Sequence, residues 1–342
     1  MVLGEHSRFT FDFPKKADSF FYWAFDGNLG VRFFFVISGF LITYLLLKEH
    51  VQTGALSLRN FYARRALRIL PVYFAFLAVI FVLQILTPSR QLGITWLGNL
   101  TFTSNFVPCN STTTVHLWTL AVEEQFYVFW PLILCLAGLQ NTRRILFLLA
   151  VPVFVSPICK TISYTGYTVL LPAALDPLFQ RYSSLYYFDS LAIGCMAAVL
   201  FVKYNREILT LLSRFGGVIA MVGAALVLVP DILSKLYLAR GFIAIAGSTV
   251  QAVGLAMLLL QSILFPRFFK PLNWALVRQI GVLSYSIYIW HGIFWANPHR
   301  YGLPHVWFLS FYGWLAAVFP VAMISYYCLE RPVTNLRARL RA

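Results

Sequence analysis

Charge is what this sequence has least of. Of its 342 residues, 11% are Asp, Glu, Lys or Arg, against about 25% in an ordinary soluble domain. A water-soluble fold of this length has no way to cover a chain that is 60% hydrophobic, so that class is excluded. Acidic residues are the scarcest: 12 Asp and Glu stand against 27 Lys and Arg, for a net charge of +15. In a soluble chain this imbalance would point to nucleic acid. Here the basic residues gather at the ends of apolar runs, where they orient a membrane protein and contact anionic lipid, so membrane lipid is an expected partner and nucleic acid is not. The five cysteines, Cys109, Cys135, Cys159, Cys195 and Cys328, show no CxxC and no metal-ligand spacing, and no metal is expected. Four lie in or beside apolar segments and read as small packing residues. The sequence also lacks low-complexity stretches, internal repeats and a separable soluble domain. Asn99-Leu-Thr and Asn110-Ser-Thr are formal glycosylation triplets of a kind that arises often by chance.

What the chain has instead is long apolar segments with short linkers. Nine stretches have the length and composition of spanning helices: roughly 30–47, 69–86, 117–138, 146–164, 185–202, 215–233, 241–264, 280–296 and 307–329. The expected fold is all-α, a polytopic membrane helix bundle forming one domain over residues 1–342. Charge placement orients it. One set of alternate connections holds Lys48, Arg59, Arg64, Arg65, Arg68, Arg143, Arg144, Lys203, Arg206, Arg214, Arg267, Lys270, Arg278 and the C-terminal Arg331, Arg337, Arg339 and Arg341. The other holds Arg8, Lys15, Lys16, Arg90, Lys160, Arg181, Lys235, Arg240 and Arg300. The richer side is expected in the cytoplasm, with the C-terminus inside and residues 1–28 outside. Met1 to Leu3 resemble the tail of an apolar helix, and a further N-terminal span is expected upstream.

The segment Leu117–Leu139 carries two adjacent carboxylates, Glu123 and Glu124. A charge inside a bilayer costs about 2.5–3.5 kcal/mol even on lenient insertion scales, so such a pair marks a polar interior, a pathway or a site. Tyr127 follows at helical spacing. These carboxylates and Asp189 suit a structural ion pair, an acceptor site, or the ion relay of a secondary transporter; the paired halves typical of transporters are not visible. Arg64, Arg65 and Arg68 stand three and four positions apart, which puts them on one helix face. They serve as topology signals or as a phosphate grip, since guanidinium groups bind phosphate bidentately. Ser38-Gly39 reads as a close-packing pair, with Ser38 as a nucleophile the alternative. His6 is either an exposed residue near a terminus or a base, and His291 reads as a structural hydrogen-bonder.

Six stretches, in order, resemble a known family: Phe34, Phe35, Ser38 and Gly39 in FFxxSG; Arg65 and Arg68 in RxxR; Trp118, Glu123, Glu124, Gln125 and Tyr127 in the acidic helix; Phe188-Asp189 through Gly194; Leu283 through His291; and Glu330-Arg331-Pro332. They are similar to the acyltransferase-3 family of integral membrane O-acyltransferases, which includes O-antigen and exopolysaccharide O-acetylases. That resemblance implies a ten-helix core, here without its first helix, in a bacterial inner membrane. It implies transfer of an acyl group, expected to be acetyl, from cytoplasmic acyl-CoA to a hydroxyl of a glycan or lipid-linked sugar. It aligns His6 with the histidine of the family's first helix, whose basic partner eleven positions earlier would precede Met1. His6 is then the expected general base, with an acid limb of activity at the ordinary histidine value, about 6.5; Glu123 and Glu124 are the other catalytic candidates. Arg64, Arg65 and Arg68 are expected to hold acyl-CoA. Ser38, Trp118, Tyr127 and Asp189 complete the candidates. A truncated, inactive relative is the remaining alternative.

Overall fold

The computed structural model describes residues 1–10, 12–86, 91–107, 113–166, 182–266, 269–295 and 306–336. Cys109, the Asn110 triplet, and Arg90, Arg181, Arg267, Arg300, Arg337, Arg339 and Arg341 lie outside the described residues. The long helices are α1 (Gly27–Thr53), α2 (Leu58–Leu86), α3 (Leu117–Ala137), α4 (Thr142–Tyr164), α5 (Phe188–Lys203), α6 (Asn205–Lys235), α7 (Ser248–Leu264), α8 (Ala275–Phe294) and α9 (Phe311–Ser325). They fall where the nine spans were expected, and the described residues form no strand. Among the described residues, seven helical stretches are long and apolar enough to cross a membrane. Helix α5 has 16 residues and is too short; α8 is diluted by Arg278, Gln279, Ser284, Ser286 and His291.

Boundaries differ from the expected spans for a physical reason. Helix α2 begins eleven residues before the apolar run, so Arg64, Arg65 and Arg68 ride on the same helix as the span. Backbone hydrogen bonding does not stop where hydropathy does. Helix α9 continues through a π turn at Tyr326–Glu330 into Arg331–Leu336. Short helices at Val2–His6, Asp18–Ala24 and Gly93–Leu100 escaped hydropathy altogether.

The chain divides into two compact units. The first comprises residues 1–27, 57–118 and 271–342. Its core joins Leu283 and Ile287 of α8 to Trp314, Val318 and Ala322 of α9. Tyr285 of α8 also donates its hydroxyl to the Ile69 carbonyl of α2 at 2.7 Å. Asn99 is buried here, so its glycosylation triplet is inaccessible.

The second unit comprises residues 28–56 and 119–270. Val36 and Phe40 of α1, Ile193, Ala197 and Ala198 of α5, and Ala252, Leu255 and Ala256 of α7 share one core. Gly39 and Gly194 set the approach of α1 to α5. A Cβ on Gly39 would lie 2.1 Å from the Leu191 carbonyl oxygen, and one on Gly194 would lie 2.1 Å from that of Val36. Small residues at such crossings let helix backbones meet, which agrees with reading Ser38-Gly39 as a packing pair. Cys195, at the same crossing, donates its thiol to the Gly39 carbonyl at 3.3 Å.

A buried ion pair ties α4, α5 and α7 together. Lys160 Nζ lies 2.8 Å from Asp189 Oδ2 and 2.7 Å from Ser248 Oγ. Thr249 donates to the same carboxylate oxygen at 2.6 Å, and the Ser190 amide donates to the other at 2.7 Å. Charge placement along the sequence puts Lys160 in a connection; it sits instead inside α4, its side chain 5% exposed, because Asp189 neutralises it there. Removing one partner of a buried pair strands the other charge, at a cost of about 3–5 kcal/mol. Lys160→Met should therefore destabilise the detergent-solubilised protein by that order in thermal unfolding. Lys160→Met combined with Asp189→Leu should recover most of the loss.

Candidate active site

Three histidines from distant parts of the chain meet in the first unit. His6 ends the Val2–His6 helix, His116 directly precedes α3, and His291 lies in the last turn of α8. His6 Nδ1 is 2.9 Å from His291 Nε2. The rings of His291 and His116 are 4.7 Å apart, centroid to centroid. Trp295 stacks on His6 at 4.4 Å, with ring planes 9° apart.

Local sequence explains the cluster. The Tyr-Ile-Trp-His run of α8 turns its polar atoms back on the cluster. The Tyr288 hydroxyl donates to the His116 carbonyl at 3.0 Å. His116 Nε2 lies 3.1 Å from the Ile289 carbonyl, and His291 Nδ1 lies 2.5 Å from that of Tyr288. Phe76 of α2 presents its ring edge-on to both His116 and Trp290. Gly292 leaves room for His116: a Cβ there would fall 2.3 Å from the imidazole Cε1 and 2.5 Å from the Thr113 carbonyl oxygen. Glu5 fixes the short helix by accepting the Gly27 amide, and Gly4 admits the Phe25 ring against its backbone.

His116 and His291 are buried and His6 is half-buried. His6 lies in none of the seven candidate spans among the described residues, and burial first, then the neighbouring His291, lowers its pKa to about 3. The neutral imidazole is thus its resting form at physiological pH. This revises the expected acid limb downward from the ordinary histidine value.

The same unit holds the arginines. Arg64, Arg65 and Arg68 are all half-buried on the first turns of α2. Arg65 lies over the Phe61 ring, 6.0 Å from its centroid. The Arg68 charge is within Coulombic range of Glu330, which accepts from Ser286 of α8 at 3.1 Å. The RxxR, SYSIYIWH and Glu-Arg-Pro stretches are therefore neighbours in space. Trp118 is buried at the start of α3.

The other candidates belong to the second unit. Glu123 is buried and accepts the Tyr127 hydroxyl at 3.1 Å, one of the two carboxylate–tyrosine spacings that the sequence left open. Glu124 is half-buried. Asp189 is committed to Lys160, Thr249 and Ser190, the ion-pair alternative of the sequence reading. Ser38 is buried at the helix crossing described above. His116 was missed by the sequence reading. Its only signal was its position, immediately before the Leu117-Trp118 motif at the mouth of a span. Among the described residues, no group of three His, Cys, Asp or Glu side chains is arranged to hold a metal ion.

Residues 1–297 match the acyltransferase-3 family model, described as an acyltransferase domain. Over 92% of its length the chain is 28% identical to the peptidoglycan O-acetyltransferase OatA of Listeria monocytogenes, covering 52% of that protein. It is 27% identical to the putative peptidoglycan O-acetyltransferase YrhL of Bacillus subtilis, over 92% of this chain and 51% of that one. A putative O-acetyltransferase of Staphylococcus aureus strain COL is 37% identical over 140 residues, which are 36% of this chain and 22% of the relative. The chain thus spans about half the length of the full-length relatives it matches. No solved structure matches.

Proposed function

The chain belongs to the acyltransferase-3 family, and on that premise we propose that it moves an acetyl group from acetyl-CoA to a hydroxyl of a cell-envelope glycan. The observation that carries the reading is His6, half-buried and 2.9 Å from His291, in a chain whose relatives are named O-acetyltransferases. The naming of peptidoglycan in two of them supports an amino-sugar polymer, or its lipid-linked precursor, as the acceptor class.

The chemistry requires a base, a grip on the donor and a space for the thioester. In the proposed reaction His6 takes the proton of the acceptor hydroxyl. The oxygen attacks the thioester carbonyl, an ester C–O bond forms and the C–S bond breaks. The departing thiolate takes the proton, leaving an acetyl ester, free CoA and a neutral imidazole. General bases contribute about 10²–10⁴-fold to such steps. Arg64, Arg65 and Arg68 serve the donor, whose phosphates match the guanidinium fork. Charge placement supports a cytoplasmic C-terminus and a donor arriving from that side.

A transporter built on Glu123, Glu124 and Asp189 is the weaker reading, because Asp189 is held by Lys160 and Glu123 by Tyr127. Proteoliposomes decide between them. Thiol release from acetyl-CoA that rises on adding an N-acetylhexosamine glycan is expected. Proton or sodium flux without thiol release would establish the transporter, and neither would establish an inactive relative.

A further inference from the structure

The hydrogen-bond directions in the histidine cluster follow from its carbonyls. A carbonyl oxygen only accepts, so His291 Nδ1, 2.5 Å from the Tyr288 carbonyl, must carry the hydrogen. In the neutral ring that leaves His291 Nε2 bare, and the hydrogen bond on one ring nitrogen decides the state of the other. His6 Nδ1 lies 2.9 Å from that bare nitrogen. Two bare nitrogens would repel there, so His6 Nδ1 must be the donor. The remaining nitrogen of His6, Nε2, is then the one with a lone pair.

We infer that His291 is a positioning residue, which holds His6 in the Nδ1–H tautomer and aims its Nε2 lone pair at the hydroxyl to be acylated. The chain of donors runs from His6 Nδ1–H to His291 Nε2, and from His291 Nδ1–H to the Tyr288 carbonyl. In serine hydrolases a carboxylate plays this part for the catalytic imidazole; here a second imidazole, anchored to its own helix, does so. His291 is fully buried, and the stacked Trp295 ring restricts rotation of His6. Once His6 takes the proton, His291 Nε2 remains an acceptor for its Nδ1–H and stabilises the imidazolium. His116 packs edge-on against His291 and is fixed by Ile289, which keeps the anchor from turning. This inference rests on His6 being the base.

The test compares substitutions at position 291 in the reconstituted full chain with acetyl-CoA and a glycan acceptor. His291→Phe keeps a ring of similar shape but offers no acceptor. It should lower kcat about 10²-fold with the KM for acetyl-CoA unchanged. His291→Gln places an amide oxygen near the lost Nε2 and should restore activity to within about tenfold of the parent. Because His291 acts through His6, adding His291→Phe to His6→Ala should cost nothing further. Nitrogen-15 spectra of the histidine-labelled parent, with the His6 signals identified by their loss in His6→Ala, should show Nδ1 protonated and Nε2 bare. Parental kcat in His291→Phe, while His6→Ala is impaired, would overturn the inference and leave the base assignment standing. Parental kcat in His6→Ala would remove the base assignment itself. If His291→Phe fails to fold, the parent spectrum decides: the opposite tautomer of His6 overturns the inference.

Discussion

His6→Ala should lower acetyl transfer by about 10²–10⁴-fold, the usual contribution of a general base, while acetyl-CoA binds nearly as before. The proposed grip on the donor's phosphates is on α2, whereas His6 ends the Val2–His6 helix. His6→Gln should not rescue, because an amide hydrogen-bonds but does not take up the proton. The pH–rate profile of the parent carries the same information. His6 is held at about 3 by burial and by His291, so it stays neutral as the medium is acidified past the ordinary histidine value of about 6.5. The groups around it are His291 on α8, His116 before α3 and Glu5 on its own helix. Activity should persist below that value, and an acid limb centred there would point to a different, solvent-exposed base. Between about 6.5 and 3 the unfolded chain binds a proton at His6 that the folded chain refuses, so stability declines as pH falls through this window.

The second large effect concerns the donor. Arg65→Ala and Arg68→Ala should each raise the dissociation constant for acetyl-CoA about 10- to 100-fold. Hydrogen bonds to charged groups are worth about 1.5–3 kcal/mol, and each 1.4 kcal/mol is a factor of about ten. Lysine at either position should rescue only in part, because it keeps the charge and loses the fork. Arg68 adds a distinction that spacing alone did not offer. Glu330, buried and hydrogen-bonded to Ser286, lies within Coulombic range of Arg68, so Arg68→Ala should also lower thermal stability slightly more than Arg65→Ala. Equilibrium binding of labelled CoA by the parent and both variants checks this. Parental affinity in both would reduce the arginines to topology signals.

Relations within one helix were legible in the sequence; relations between helices were not. That Tyr127 shares a face with Glu123 or Glu124 follows from spacings of four and three on α3, and the shared face of Arg65 and Arg68 from a spacing of three on α2. The Ser38-Gly39 crossing followed from residue size. By contrast, His6, His116 and His291 are separated by more than a hundred residues at each step, and no local pattern announces that they converge. Burial hid the rest. Lys160 counts as a surface charge in any tally of connections, yet Asp189, Ser248 and Thr249 make an interior position tolerable. Helix α8 shows the converse: among the polar residues that dilute its hydropathy, Tyr288 and His291 hold the cluster, while Tyr285 and Ser286 bond to Ile69 and Glu330.

The most direct measurement follows the acetyl group itself. Proteoliposomes containing the full chain are given acetyl-CoA labelled with carbon-13 in the acetyl carbonyl, together with an N-acetylhexosamine glycan, and the products are analysed by NMR before and after mild alkali. Labelled acetyl esters on glycan hydroxyls are expected, released as acetate by alkali, formed with one free CoA per ester and lost in His6→Ala. Labelled acetate that appears at the same rate with or without the glycan, and no alkali-labile ester, would contradict it.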